Sequence, residues 1–99
     1  MAGPIYKLWM FKPTEAWYQL SKEERDNNMN RIDEDLKKVG GKRLITCTPT
    51  WSTERWLGFG VEEFPDIEAV QEFTSLLIER DHFRFIEVDS MLGSEWVSS

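Results

Sequence analysis

Three side chains in this sequence are candidates for moving a proton or holding a charge: His82, Lys7 and Glu87. His82 is the single histidine, the residue type whose unperturbed pKa lies near neutrality, and it precedes an apolar run where a loop could hold it at a cavity mouth. There it would act as a general base toward a phenol or an activated carbon. The structural alternative is a histidine at a helix end, interacting with the helix dipole. Lys7 and Glu87 each interrupt an apolar stretch, "YKLWMF" and "FIEVD". Facing one another, they would orient a carboxylate or phenolate ligand, or leave Glu87 with a raised pKa suited to proton transfer. As a plain salt bridge they would fix strand register or a dimer, since a charge buried alone is costly.

Aromatic residues could build the binding surface around these groups. Trp9, Trp51, Trp56 and Phe85, with Tyr18, offer stacking faces for a planar aromatic ligand, although such clusters also serve as core or interface. The stretch "WLGFGVEEF" alternates Gly58 and Gly60 with Leu57, Phe59 and Val61, and glycine stabilises a strand least. A valine at either position would strengthen the strand. The glycines are therefore expected to form a floor without side chains, with Trp9, Trp56 and Phe85 as walls.

Positioning these residues requires a particular order of elements. Ile5 to Phe11 is rich in aromatic and branched residues, as strands are, and Pro13 ends it. "TEAWYQL" predicts a helical turn or two, and "SKEE" a helix start in which Ser21 caps and Glu24 reaches back. Met29, Ile32, Leu36 and Val39 then form an amphipathic stripe that Gly40-Gly41 terminates. Arg43 to Thr48 reads as a second strand, and "TWSTER" as the loop feeding the glycine-containing third. Asp66 caps a second long helix with Ile67, Val70, Phe73, Thr74 and Leu77 on its buried face. A last strand is expected from Phe83 to Asp89, followed by a tail that docks through Leu92 and Trp96.

The order is β-α-β-β-α-β, an α+β, ferredoxin-like arrangement: a four-stranded antiparallel sheet with two helices on one face. Alternation divides each strand into two sets. Leu57, Phe59 and Val61 are the uninterrupted apolar set of the third strand and are expected under the helices, with Trp56, Gly58, Gly60 and Glu62 on the open face. By the same reading Tyr6, Leu8, Met10, Ile86 and Val88 point to the helices, and Ile5, Lys7, Trp9, Phe11, Phe85, Glu87 and Asp89 away from them. An open face this aromatic must be covered.

Composition narrows the function classes. Ninety-nine residues with 40% apolar side chains suit a single folded domain. Twelve basic residues against eighteen acidic ones give a net charge of −6 without a basic patch, which argues against nucleic acid. Cys47, the lone cysteine, reads as a small apolar residue in a reducing compartment. No apolar run is long enough to span a bilayer, and the N-terminal run, interrupted by Lys7, lacks the cleavage site of a signal peptide, so a cytoplasmic protein without a membrane partner is expected. Acidic residues near the strand ends lack His or Cys at ligand spacing, so no metal site is expected.

Element order, chain length and aromatic sheet face together resemble the dimeric α+β barrel superfamily over residues 5 to 92. That superfamily includes cofactor-independent antibiotic-biosynthesis monooxygenases, haem-degrading monooxygenases, muconolactone isomerases and small polyketide cyclases. "YKLWMFKPTEAWYQLSKEER" is also similar to small proteins encoded with indole-3-acetate or other aromatic catabolism genes. The resemblance implies a homodimer whose two sheets pack face to face, with a cavity in each subunit for an aromatic or polyketide-like molecule. It implies cofactor-independent oxygenation or isomerisation, with no cofactor, or ligand binding without turnover by an accessory protein of a catabolic pathway. A purely structural reading instead fills the open face with the dimer interface. The first strand carries Lys7 and no asparagine, and His82 has no second histidine, so the haem-degrading triad and the cyclase histidine pair are not reproduced.

Overall fold

The computed structural model describes residues 3–97. Strand β1 (Ile5–Pro13) leads through a short helix α1 (Glu15–Tyr18) into the long helix α2 (Lys22–Lys38). Ser21 opens α2 as the sequence predicts. Its hydroxyl accepts from the Glu24 amide at 3.1 Å, and its own amide donates to the Glu24 carboxylate at 2.9 Å. Gly40, at φ 80°, ends the helix in the left-handed conformation that a side chain disfavours. Strands β2 (Lys42–Cys47) and β3 (Gly58–Phe64) follow, then helix α3 (Ile67–Glu79), whose amide at Ala69 donates to the Asp66 cap at 2.8 Å. A single-turn helix α4 (His82–Phe85) precedes β4 (Ile86–Gly93).

The four strands form one antiparallel sheet in the order β2-β3-β1-β4, the ferredoxin-like topology. The core lies between this sheet and the helices. Phe64, fully buried, packs with Leu36 and Val39 of the α2 end and with Val70, Phe73 and Leu77 of α3. Burying such side chains stabilises the fold by roughly 1.5–3 kcal/mol each.

The last strand differs from the sequence expectation. Residues 83–85 are helical, and the strand runs four residues beyond Asp89. Asp81 adopts φ 58° and starts the turn, while the Thr14 amide donates to the Phe85 carbonyl at 2.8 Å and the Thr14 hydroxyl to the Arg84 carbonyl at 2.7 Å. Those bonds use backbone groups that a longer strand would have placed in the ladder. Leu92 is accordingly a strand residue opposite Lys7, and Trp96, 89% exposed, docks on nothing among the described residues.

The two faces of β1 and β3 are also the reverse of the expectation. Phe64 shares its side of β3 with Gly58, Gly60 and Glu62, and all four are buried under the helices. On β1, Ile5 packs on the core and the Lys7 ammonium lies 5.7 Å from the Phe73 ring centroid, so Ile5, Lys7, Trp9 and Phe11 face the helices too. Leu57, Phe59 and Val61, with Tyr6, Leu8 and Met10, belong to the outer face. Only the β4 assignment stands as expected, with Ile86 and Val88 beneath the helices. Both sets are apolar, so alternation alone does not rank them. The rings of Trp9, Phe11 and Phe64 lie between sheet and helices. A Cβ on Gly60 would sit 2.7 Å from Trp9 Cζ2 and 2.5 Å from the Ile45 carbonyl oxygen, and one on Gly58 would press into the Phe11 ring. The glycines let two aromatic rings lie across β3.

Candidate functional site

A cavity of about 170 Å³ lies between the inner sheet face and helices α2, α3 and α4. Its floor is built from successive cross-strand rows. Arg43, Glu62 and Lys7 are opposite one another on β2, β3 and β1; the next row holds Thr46, Gly60 and Trp9, and the third Gly58, Phe11 and Val88. The roof comes from Ile32 of α2, Phe73 and Leu77 of α3, and His82 with Phe83 of α4. Met29 and Phe83, each nearly half exposed, form the edge toward solvent.

The polar groups gather at one end of the floor. Glu62 is 4% exposed, and Arg43 bridges it, at 3.4 Å, to Asp33 of α2 at 2.7 Å. Burial raises the Glu62 pKa, with the positive charges of Lys7 and Arg43 opposing that rise. Burial lowers the Lys7 pKa, and the Glu62 carboxylate pulls it part of the way back. His82 is lowered to about 4, first by burial and then by the charge of Lys7, so its imidazole is neutral at physiological pH and has a lone pair to offer. A neutral base, an ammonium and a buried carboxyl thus share one aromatic-walled space. Among the described residues, no three His, Cys, Asp or Glu side chains are grouped to hold a metal ion.

The structure brings together five of the sequence candidates: Lys7, Trp9 and His82 line the cavity, and Gly58 and Gly60 lie beneath the Phe11 and Trp9 rings of its floor. Three others lie elsewhere. Glu87 is on the outer face, 3.5 Å from Lys12, because residues 7 and 87 occupy opposite sides of the sheet. Trp56, in the approach to β3, stacks with the Arg55 guanidinium at 4.7 Å and does not reach the cavity. Phe85 ends α4 and borders a separate, small cleft with Trp17 and Arg80. Trp51 and Tyr18 are exposed.

Glu62 and Arg43 are cavity residues that the sequence reading did not single out. Glu62 lies two residues beyond Gly60, so counting along the strand could have found it once the glycine side was known. Arg43 depends on the β2–β3 register, which shifts between Arg43 and Ile45, and nothing local in the sequence announces that irregularity.

Comparison with known proteins supports the fold. No protein-family model matches the chain, and no curated protein matches it in sequence. Among solved structures, it is similar to a mutant chlorite dismutase from Candidatus Nitrospira defluvii, with a TM-score of 0.74 and 14% identity over 100% of this chain and 43% of that one. The chain therefore spans less than half the length of that enzyme. It is similar also to a structural-genomics protein of unknown function from Rhodopseudomonas palustris, with a TM-score of 0.70 and 14% identity over 99% of this chain and 86% of the other. At this identity the likeness is one of fold.

Proposed function

We propose that the cavity takes a small aromatic or polyketide-like molecule and catalyses a proton transfer on it without a cofactor. The observation that carries this reading is the convergence of Lys7, Glu62 and His82 on one cavity walled by Trp9, Phe11 and Phe73. The negative charge that develops on the ligand offsets that of Lys7 and raises the proton affinity of His82 from its value in the empty cavity, so that His82 takes a proton from an acidic carbon or a phenol while the Lys7 ammonium stabilises the oxyanion that results. Returning the proton to a different atom completes an isomerisation. The same deprotonation is the first step of a cofactor-independent oxygenation, with dioxygen as co-substrate. Apolar walls keep water from the anion.

A non-catalytic, ligand-binding role is the second reading, and the Arg43–Glu62 ion pair favours it by occupying the carboxylate. The two are separable. Trp9 is the cavity indole, so indolic and phenolic acids should quench the fluorescence of the protein, and Trp9→Phe should lose most of that response. No quenching across such a panel would remove the ligand-binding proposal altogether. For a ligand that quenches, exchange of its acidic C–H with deuterated solvent supports catalysis, and binding without exchange supports the accessory role.

We further propose a homodimer through the outer sheet face. Ile45, Leu57 and Met91 on that face are 54%, 46% and 64% exposed, beside half-buried Leu8, Met10, Phe59 and Val61. A contiguous apolar surface of this kind marks an interface, and a second copy presents the same surface.

A further inference from the structure

We infer that the ligand is a single-ring aromatic molecule carrying a carboxylate, held by its acid group at the Lys7 end of the cavity. This rests on the proposed ligand-binding role and adds charge and size to it. The argument is a count of hydrogen-bonding groups that the protein leaves unanswered. Trp9 Nε1 and Arg43 Nε are buried with no partner among the described residues, and both belong to side chains that line the cavity. Each is a donor and cannot accept. Lys7 adds a third donor, since its ammonium makes no hydrogen bond or ion pair among the described residues and lies against the Phe73 ring.

The acceptor side of the count is short. Glu62 is the buried carboxylate of the cavity, and it already receives Arg43 at 3.4 Å. Neutral His82 offers one donor and one acceptor, and Thr46, an exposed residue on the lining, adds a hydroxyl. A buried donor left without an acceptor costs about 1–3 kcal/mol, and more where charge is involved. Three unanswered donors in one small space therefore select a ligand that brings acceptors. A carboxylate has two oxygens and can answer several N–H groups at once, with charge assistance from Lys7. A ligand that brings an ammonium group would add a fourth unanswered donor.

Volume sets the rest of the ligand. An apolar cavity of about 150 Å³ accommodates one benzene molecule. At about 170 Å³, with Trp9, Phe11 and Phe73 as walls, this cavity fits one ring and a small substituent.

Isothermal titration of the protein with benzoate, benzamide and benzylamine tests the inference, because the three probes share one ring and differ in charge. Benzoate should bind at least about tenfold more tightly than benzamide, the scale of one charge-assisted hydrogen bond. Benzylamine should be the weakest. Lys7→Met should cancel the advantage of benzoate while benzamide binding persists, which also reports that the variant is folded with its cavity intact; Lys7→Arg should restore part of the preference. Benzamide or benzylamine binding as tightly as benzoate, or a benzoate preference that survives Lys7→Met, would overturn the inference while leaving the cavity a site for neutral rings. Failure of all three probes, together with no quenching by indolic or phenolic acids, would overturn the ligand-binding proposal and this inference with it.

Discussion

His82 enters the cavity as the first residue of α4, on a turn that begins at the left-handed Asp81, and its surroundings keep its imidazole neutral to about pH 4. In the unfolded chain the same group binds a proton near pH 6.5. As pH falls through 6.5 the unfolded state takes up a proton that the folded state refuses, so stability declines between about pH 6.5 and 4 and the contribution is flat on either side. The imidazole proton resonances should therefore titrate near pH 4, and a midpoint near 6.5 would mean that the ring points to solvent. His82→Gln should flatten the decline in melting temperature across the same window. At this scale the sequence was partly legible. The chemical types of Lys7, Trp9 and His82 marked them as candidates, but Glu87 has the same type and lies on the other face. Which side of a strand a residue takes is decided by the packing of all its neighbours, and Trp9 and Met10 give no local reason to prefer one for the interior.

Helix boundaries were the most readable elements, because capping is a local transaction between residues three apart. Ser21 with Glu24, and Asp66 with the Ala69 amide, fix two starts, and Gly40 fixes an end. The start of β4 was not readable, since the Thr14 bonds that hold residues 84 and 85 out of the ladder come from seventy residues away in the chain. Long-range pairing also joins the helices. Asp35 of α2, 3% exposed, receives two hydrogen bonds from Arg80 just past α3, at 2.5 and 2.9 Å. The Arg80 hydrogen bonds hold the Asp35 pKa below its ordinary value of 3.8, against the effect of burial. A carboxylate with a depressed folded pKa contributes stability above its unfolded pKa and loses it as pH falls through the folded one. Asp35→Asn should lower the melting temperature by roughly 5–10 °C at pH 7. The difference should shrink as the pH is taken below 3.8, and a deficit that stays constant would show that packing, not charge, joins α2 to α3.

The whole molecule has a sheet with one side under helices and the other largely bare, so one proposal concerns each side: a cavity within, a twin subunit without. No helix among the described residues is long and apolar enough to cross a membrane. Val61 sits at the middle of that side, between Ile45 and Leu8 in the cross-strand row. Val61→Lys should shift the protein from dimer to monomer in analytical ultracentrifugation at micromolar concentration, with the circular dichroism of the fold retained. A wild-type protein that sediments as a monomer at every concentration would remove the dimer proposal. The β-α-β-β-α-β order was legible from alternation, capping and punctuation. The polarity of the sheet was not, because both of its sides carry enough apolar surface to be an interior.

Phe11 and Gly58 together constrain the paths by which this sequence can change. A side chain at position 58 has nowhere to go while the Phe11 ring lies across it, and a smaller residue at 11 leaves a hole that position 58 is placed to fill. The order of substitution is thereby biased: residue 11 shrinks first, residue 58 grows second, and the reverse route passes through a clash. Descendants of this chain should be recognisable by that exchange of bulk between two neighbouring strands.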